Sequence, residues 1–587
     1  MTARIWFVLP CLVLAACAGS GPAATPTATA TAPPTPSATP TSSASASASA
    51  SATATTTAVD TATPPPTASQ TPSSSPTPSA SPPPSSTQTP VDSPTPSATP
   101  TRDPLRLPAL RGAPDATRGG RIVDAEGREV LLRGVNVNAL AEYWQGSELP
   151  TVFPLAAGDP ELMASIGWST VRLLLSWSRV EPAPGAYDDA YLGAVRDTAR
   201  RLTQHGLYVI LDLHQDAWGA TLVARPDEVC AAGSSPALGW DGAPGWASLD
   251  DDKPRCAQAG VRELSPAVQA AFTNFFADAP GPGGVGVRQR YARMLGHLAA
   301  FFAAEPGIAG YDVMNEPNAF DATQRSGLGA LYGEALAEIR AGETAGGGSP
   351  RLVLFEPSAL FSLLGNGGAP PFAFDRDVVY APHLYAGSIS IVPLDAAAFQ
   401  VARDEALPFG GAPVLSGEWG GDPGRAADPN DPYFLAHQGL QDDFAFSATL
   451  WTWRESCGDP HKIGDRRAGN VPTVWGEFEV DCSNGNDVVG LRQPLIDQLT
   501  RAYVRAAPGH LEVTSFDFAS GAFSAEGSGA GAGVEVLAFY PAARYGAPRL
   551  FGAGLEVLRA LPAPGGNIYI VGRAVGGDWT LAAGVPE

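Results

Sequence analysis

Two glutamates, far apart in the chain, each follow a short run of apolar residues. Glu316 lies in the sequence VMNEPN, and Glu418 lies in the sequence LSGEWG. A pair of carboxyl groups is what the cleavage of a glycosidic bond requires, because one protonates the leaving oxygen while the other attacks the anomeric carbon as a nucleophile. These two side chains are therefore the first candidates for catalysis, provided that the fold brings them together.

The pattern of the intervening chain predicts such a fold. Short β-branched runs alternate with longer helix-period segments, among them 188–205, 287–305 and 327–340, and this alternation is typical of βα units with a parallel sheet. Eight predicted strands over roughly 400 residues indicate an α/β (β/α)8 barrel, a TIM barrel, with a long insertion after the third strand. The predicted strands are 130–137, 170–175, 208–213, 308–314, 352–355, 378–381, 413–416 and 448–453.

Polar or aromatic side chains recur at or just beyond the ends of these predicted strands. A single such residue is explained equally well as a helix cap or a buried hydrogen-bond partner. A set in register around a barrel favours one site, because catalytic groups of this fold lie at the carboxyl ends of the strands. In chain order the candidates are Arg172, His214, Asp216, Asn315, Glu316, Glu356, His383, Tyr385, Glu418 and Trp453.

The motifs that carry these residues resemble glycoside hydrolase family 5. They are LRGVNVN, GWSTVRLLLSWSRVEP, VMNEPN, APHLY and LSGEWG, and the resemblance covers about residues 110–505. It implies that Glu316 is the acid/base, that Glu418 is the nucleophile and that Asn315 contacts the sugar 2-hydroxyl. It further implies that Arg172 orients Glu418. The remaining candidates would bind substrate, with Trp453 as a stacking floor: His214, Asp216, His383, Tyr385 and Trp453.

Two properties of the glutamate pair are expected on physical grounds. A retaining glycosidase holds its two carboxyl groups about 5–5.5 Å apart. The nucleophile must be ionised while the acid holds a proton, so we expect the nearby Arg172 to lower the pKa of Glu418 and a less compensated Glu316 to have the higher pKa.

Within family 5 the chain is most similar to endoglycoceramidases, which release intact oligosaccharide from ceramide. This similarity rests on HQD at 214–216, the aromatic insertion with Trp240 and Trp246, WTWRE at 451–455 and a β-rich C-terminus. The enzymatic alternative is a cellulase or β-glucanase that uses the same glutamates on a polysaccharide. The alternative from another class is a non-catalytic surface protein that binds carbohydrate.

The composition limits the classes of molecule that this chain is expected to bind. The formal net charge of −22 argues against nucleic-acid binding, which needs an excess of Lys and Arg. The sequence contains neither a GxSxG elbow nor an HExxH motif, and no metal or cofactor is expected. The expected partners are a glycolipid or oligosaccharide substrate and a membrane reached through a lipid anchor, and the expected oligomeric state is a monomer.

The amino terminus indicates export. An apolar run, Ile5–Ala16, follows Arg4 and leads into Cys17, which resembles a bacterial lipobox, so we expect an extracellular protein anchored to the cell surface by a lipid on Cys17. The Ser, Thr, Pro and Ala that follow cannot form a packed core. The predicted organisation is a signal peptide at 1–17, a disordered linker at 18–104, the catalytic barrel at 105–507 and a small β-sandwich at 508–587.

The cysteines beyond the signal suggest disulfides. Four cysteines allow three pairings, and the sequence does not choose among them. We prefer the two local pairs, Cys230 with Cys256 and Cys457 with Cys482, because each would close one long loop.

Overall fold

The computed structural model describes residues 103, 105–144, 146–463 and 473–584. The predicted signal peptide, its lipidated Cys17 and all but Asp103 of the predicted linker lie outside these residues. Within the described part of the chain, no helix combines the length and the apolar character needed to cross a bilayer.

The predicted (β/α)8 barrel is confirmed. Eight neighbouring strands pair in parallel, in the spatial order 6-5-4-3-2-1-8-7 when numbered along the barrel. The ring closes between strands six and seven, where the Tyr380 amide donates to the Pro413 carbonyl at 2.9 Å. The barrel strands are Arg133–Val137, Thr170–Ser176, Tyr208–His214, Ile308–Asp312, Leu352–Phe355, Val378–Tyr380, Leu415–Trp419 and Ser447–Leu450.

Burial explains why the barrel strands are continuous apolar runs rather than alternating ones. Every residue of Thr170–Ser176 and of Tyr208–His214 is buried, since side chains on one face fill the barrel and those on the other face meet the helices. The few polar residues in these strands, such as Arg172 and Asp212, point inward near the carboxyl ends and need polar partners there.

The helices surround the barrel, and side-chain caps fix several of their starts. Asp188 accepts hydrogen bonds from the amides of Ala190 and Tyr191 before the helix Asp189–Thr203. Asp321 and Gln324 form a capping box at the start of Ala322–Ala345. The other helices are Asp159–Ile166, Trp177–Val180, Pro266–Phe276, Val287–Phe302, Leu360–Leu364, Ala396–Ala406, Pro423–Ala427, Tyr433–Asp443, Gln493–Leu499 and Ala542–Tyr545.

Disulfides close two loops on the catalytic face, and the preferred local pairing is confirmed. Cys230 pairs with Cys256 in the insertion after strand three, next to the short hairpin of Ser234–Pro236 and Cys256–Gln258. Cys457 pairs with Cys482 in the loop after strand eight. The first strand of the hairpin of Phe478–Asp481 and Asp487–Leu491 lies inside that second loop, directly before Cys482.

The C-terminal strands form a sandwich of two antiparallel sheets, and three strands that precede the barrel complete one of them. The predicted strand 130–137 is in fact two strands, because Arg128–Val130 leaves the barrel and pairs with Tyr503–Pro508. The seven-stranded sheet runs Leu110–Ala113, Arg121–Asp124, Arg128–Val130, Tyr503–Pro508, Glu535–Tyr540, Ile568–Ala574 and Leu555–Pro562. The four-stranded sheet runs His510–Phe516, Phe523–Ala530, Gly577–Gly584 and Arg549–Ala553.

Candidate active site

A cavity of about 340 Å³ opens at the carboxyl ends of the barrel strands. It contains both candidate glutamates, so the fold brings together the two side chains that lie far apart in sequence. Its walls come from the ends of strands three, four, six, seven and eight and from the long loops. The lining residues are His214, Asp216, Trp240, Arg262, Asn315, Glu316, Tyr385, Ile389, Glu418, Trp451, Pro460, His461, Lys462 and Trp475.

The carboxyl groups of Glu316 and Glu418 face each other across this cavity. An oxygen of each lies within 4.8 Å of the other and of a ring nitrogen of His383. That separation is shorter than the roughly 6.5–9.5 Å of an inverting pair and fits direct attack by one carboxylate on a sugar bound between them. The Glu316 side chain is 22% exposed and that of Glu418 only 7%, so Glu316 is the more accessible of the two.

Hydrogen-bond donors fix both oxygens of Glu418. The Tyr385 hydroxyl donates to Oε2 at 2.8 Å, and Nη1 of Arg172 donates to Oε1 at 3.2 Å. Two donors on one carboxylate hold it in a single orientation and favour its ionised form. The position that the family resemblance implies for Arg172, beside Glu418, agrees with this geometry, and Tyr385, predicted to bind substrate, lies beside Glu418 as well.

Arg172 forms ion pairs with several acidic side chains at once. Its guanidinium is fully buried and lies 3.0 Å from Asp212, 3.0 Å from Asp312 and 3.1 Å from Glu356, in addition to Glu418. One positive charge therefore faces four carboxylates. These carboxylates repel one another, which offsets part of the stabilisation that each gains from Arg172.

Glu316 is held from the opposite side of the cavity. Nδ1 of His383 lies 2.8 Å from its Oε1, and the Ser362 hydroxyl donates to the same oxygen. The Glu316 amide donates to Glu356 Oε2 at 2.9 Å. Its main chain has a φ of 37°, the left-handed region that non-glycine residues seldom adopt and that clusters at functional sites.

The order of proton affinities is the reverse of the one predicted. For Glu316, burial raises the pKa, but the hydrogen bond and positive charge of His383 outweigh burial and lower it overall. For Glu418, burial raises the pKa, and the charges of His383 and Arg172 only partly offset that effect, so its pKa stays raised. The prediction considered the charge of Arg172 but not the burial of Glu418 and its repulsion from Glu316, which raise the pKa of Glu418.

A row of alternating imidazoles and carboxylates forms one wall. His214 lies 2.8 Å from Asp212 and 3.2 Å from Asp216, and His461 lies 3.0 Å from Asp216 and 2.8 Å from Asp459. Burial lowers the pKa of His214, but the charges of Asp212 and Asp216 raise it to about 10. His214 and Asp216, which were predicted to bind substrate, thus lie in the cavity wall, with Asp216 as a charged acceptor.

The tryptophan that faces the cavity is not the predicted one. Trp453 is 2% exposed and packs edge-on against Phe478 at 5.0 Å, beneath the cavity wall. Trp451, two residues earlier, lines the cavity and stacks against His214 with a ring separation of 5.6 Å. The structure therefore places Trp451 at the cavity in the position expected of Trp453, because the chain after strand eight does not keep the strict alternation of a strand.

Several cavity residues come from the loops and were not among the predicted site residues. Arg262 lies 3.6 Å above the Trp240 ring and 2.8 Å from Asp216. His461 belongs to the loop closed by Cys457 and Cys482. The predicted disulfide was the sequence signal that this loop is held near the barrel. The rule that active-site residues lie at the carboxyl ends of the strands does not identify such residues, since their contacts depend on how the long loops fold back over the barrel.

Three groups of His and carboxylate ligand atoms within the described residues lie close enough together to surround a cation: His214 with Asp216 and His461, Glu316 with His383 and Glu418, and Glu455 with Asp459 and His461. A metal needs the neutral imidazole. The pKa of each of these histidines is raised, because adjacent carboxylate charges outweigh burial. The protonated rings are better understood as ion-pair partners that offset the acids of the cavity.

Comparison with known proteins agrees with this geometry. The family model described as cellulase (glycosyl hydrolase family 5) matches residues 123–456, more than half of the chain, and the match includes both glutamates. This chain belongs to glycosyl hydrolase family 5. The (β/α)8 barrel and the carboxylate pair across its mouth are accordingly those of a family 5 protein.

Individual members of family 5 are similar over different lengths. A crystal structure of endogalactoceramidase is 36% identical with a TM-score of 0.71, and the match covers 81% of this chain and 100% of that chain. Endoglycoceramidase I of Rhodococcus hoagii (strain 103S) is 28% identical over 46% of this chain and 52% of its own length. Endo-glycoceramidase II from Rhodococcus sp., solved as an iminocyclitol complex, shares the fold at a TM-score of 0.59 and 24% identity, over 79% of this chain and 99% of that chain. The chain thus spans about half of the length of the curated R. hoagii relative.

Proposed function

We propose that this chain is a retaining β-glycosidase that cleaves the bond between the glycan and the ceramide of glycosphingolipids. The observation that carries the proposal is the pair Glu316 and Glu418, whose carboxyl oxygens lie within 4.8 Å across one cavity. That spacing fits a covalent glycosyl-enzyme intermediate, because an inverting pair stands about 6.5–9.5 Å apart to admit a water.

In the first step the Glu418 carboxylate attacks the anomeric carbon. The bond from that carbon to the glycosidic oxygen breaks, and the Glu316 carboxyl transfers its proton to the departing oxygen, which leaves as the ceramide alcohol. In the second step Glu316, now a carboxylate, takes a proton from a water, and the water oxygen displaces Glu418 from the sugar. Both glutamates return to their starting forms.

The reacting form needs the proton on Glu316 and the charge on Glu418. His383 is placed to interconvert the protonation states, since its Nδ1 lies 2.8 Å from Glu316 and 3.5 Å from Glu418. Moving one proton from Glu418 to Glu316 leaves the total charge of the cavity unchanged. It moves the negative charge to the more buried Glu418, however, so the free-energy cost of the exchange is set by the difference between the two pKa values.

Ceramide as the leaving group is supported by two observations. The endogalactoceramidase that resembles this chain is 36% identical over its whole length, whereas the similarity to R. hoagii endoglycoceramidase I covers part of each protein. At the cavity mouth the Ile389 side chain is 50% exposed, which offers apolar surface where the aglycone would leave.

The test is a product analysis. Purified protein is incubated separately with glucosyl-linked and galactosyl-linked glycosphingolipids and with carboxymethylcellulose. We expect intact glycan and ceramide from a glycosphingolipid, with the β-anomer formed first by NMR. Exclusive release of terminal monosaccharides, or activity only on carboxymethylcellulose, would remove the ceramide proposal.

Two variants connect the activity to the site. Glu418→Gln and Glu316→Gln keep the side-chain shape, and each is expected to lower kcat on the glycolipid by at least about 100-fold. Gln438→Met, a buried substitution outside the cavity, serves as the control for folding. Full turnover by Glu418→Gln would show that another group is the nucleophile.

We also propose that the protein is a monomer held at the outside of the cell by a lipid on Cys17. The support is the apolar run that leads into Cys17 and the linker-like composition after it. Radiolabelled palmitate should enter the wild-type protein and not a Cys17→Ala variant, which should appear in the medium or remain as an unprocessed precursor. Equal labelling of both would contradict the anchor, and light scattering that gives a dimer mass would contradict the monomer.

A further inference from the structure

Gln215, a residue outside the catalytic pair, holds the main chain of Glu316. It is 5% exposed and follows the end of barrel strand three. Its side-chain Nε2 donates to the carbonyl of Asn315 at 2.8 Å and to the carbonyl of Glu316 at 2.9 Å. An amide NH2 has two hydrogens, so both are used on the two peptide groups that frame the acid.

The other atoms of Gln215 are fixed as well. Its Oε1 accepts from the Trp218 amide at 3.0 Å, and its main-chain carbonyl accepts from Asn315 Nδ2 at 3.0 Å. Gly242 packs against it so closely that a Cβ there would lie 2.6 Å from the Cβ of Gln215. The amide is therefore held in one orientation by the insertion after strand three.

Glu316 needs such support because of its backbone. Its φ of 37° is sparsely populated for a residue with a Cβ and persists only where the surroundings impose it. Glu356 accepts a hydrogen bond from the Glu316 N–H at 2.9 Å, and Gln215 donates one to the Glu316 carbonyl. The two side chains therefore hold both main-chain polar groups of this residue. Loss of either hydrogen bond allows the main chain of Glu316 to rotate and moves its carboxyl group.

We propose that Gln215 is the positioning residue of the general acid: its amide holds the Asn315–Glu316 main chain so that the Glu316 carboxyl faces the glycosidic oxygen. This inference rests on the proposed glycosidase chemistry but not on ceramide as the leaving group. It gives the insertion after strand three a part in catalysis in addition to forming a wall of the cavity.

The experiment compares leaving groups. Gln215→Met keeps the length and packing of the side chain and removes both donors. A misplaced general acid slows only those reactions whose leaving group must be protonated. The value of kcat/KM for an aryl β-glycoside with a weakly acidic phenol should therefore fall about 100-fold. The value for the 2,4-dinitrophenyl glycoside should stay within about threefold, because that phenolate leaves without protonation. A plot of log kcat/KM against the pKa of the phenol should become steeper.

Gln438→Met is the matched control, because Gln438 is also a buried glutamine whose Nε2 donates to two carbonyls, of Phe434 at 3.1 Å and of Gln498 at 2.8 Å. It should lose a similar amount of thermal stability and keep the wild-type slope. Equal losses on all aryl glycosides in Gln215→Met, or no loss, would overturn the inference. Wild-type protein that cuts aryl glycosides but no glycosphingolipid would end the ceramide proposal and leave the slope comparison intact.

Discussion

Removing the Tyr385 hydroxyl isolates one support of the proposed nucleophile. That hydroxyl donates to Glu418 Oε2 at 2.8 Å, and the ring packs in a small buried cluster with Trp451 and Trp475. Tyr385→Phe keeps the ring and deletes only the donor. Arg172 still contacts the other oxygen at 3.2 Å, so the carboxylate keeps one anchor and loses the other.

The size of the effect follows from the strength of that bond. A hydrogen bond to a charged group contributes about 1.5–3 kcal/mol, and about 1.4 kcal/mol corresponds to a tenfold change in rate. We therefore expect kcat/KM to fall about 10- to 100-fold. A donor to the ionised form lowers a pKa, so its removal raises the pKa of Glu418, which burial already raises. Because Glu418 must be ionised to attack, the acidic limb of the pH profile should move to higher pH.

The assay is kcat/KM on an aryl β-glycoside across the acidic limb, with Tyr540→Phe as the control. Tyr540 is fully buried in the sandwich and donates to the Gly521 carbonyl at 3.0 Å, so its loss tests the general cost of removing a tyrosine hydroxyl. A Tyr385→Phe enzyme with an unmoved acidic limb and a loss under about threefold would refute the reasoning.

Three other predictions concern stability and binding. Burial lowers the pKa of His437 to about 4. The neutral ring therefore contributes folding stability above pH 6.5, and this contribution is lost as the pH falls toward 4. His437→Gln should remove about 3 kcal/mol of that pH dependence in urea unfolding, and an unchanged pH dependence would contradict the assignment. Replacing Cys457 and Cys482 together by Ser opens a loop of 25 residues and should cost about 3 kcal/mol in the same assay; a loss under about 1 kcal/mol would show that the loop is held by its other contacts. Trp451→Ala and Trp453→Ala should each lose about 3–5 kcal/mol of stability, because both rings are buried, but only Trp451→Ala should also raise KM, since Trp451 lines the cavity; a raised KM in Trp453→Ala alone would restore Trp453 as the stacking residue.

The barrel was predictable because its signals are local. A strand buried on both faces is a continuous apolar run, and Thr170–Ser176 and Tyr208–His214 show it clearly. The position of Glu316 and Glu418 in one cavity follows from a rule of topology, since parallel strands bring their carboxyl ends to the same face. Knowing the strands was therefore enough to expect that the glutamates meet.

Long-range contacts account for what the sequence did not reveal. His461 reaches Asp216 from the loop after strand eight, and no periodicity encodes that approach. The pairing of Arg128–Val130 with Tyr503–Pro508 joins segments from opposite ends of the folded chain, so each reads locally as an ordinary short strand. The proton affinities of the glutamates depend on their burial and on the charge of His383, which only the assembled structure gives.

The three strands that precede the barrel also determine where mechanical load enters the molecule. Leu110–Ala113 pairs along its length with Arg121–Asp124, and Arg128–Val130 joins that hairpin to Tyr503–Pro508. A pull on the chain before Leu110 is borne by these antiparallel ladders and by direct bonds to the barrel, where the Tyr208 hydroxyl donates to the Pro108 carbonyl and the Gly112 amide donates to Asp377. A fragment cut between 507 and 508 would separate Tyr503–Pro508 from Glu535–Tyr540 and expose a raw sheet edge, so the barrel and the sandwich are best expressed as one piece.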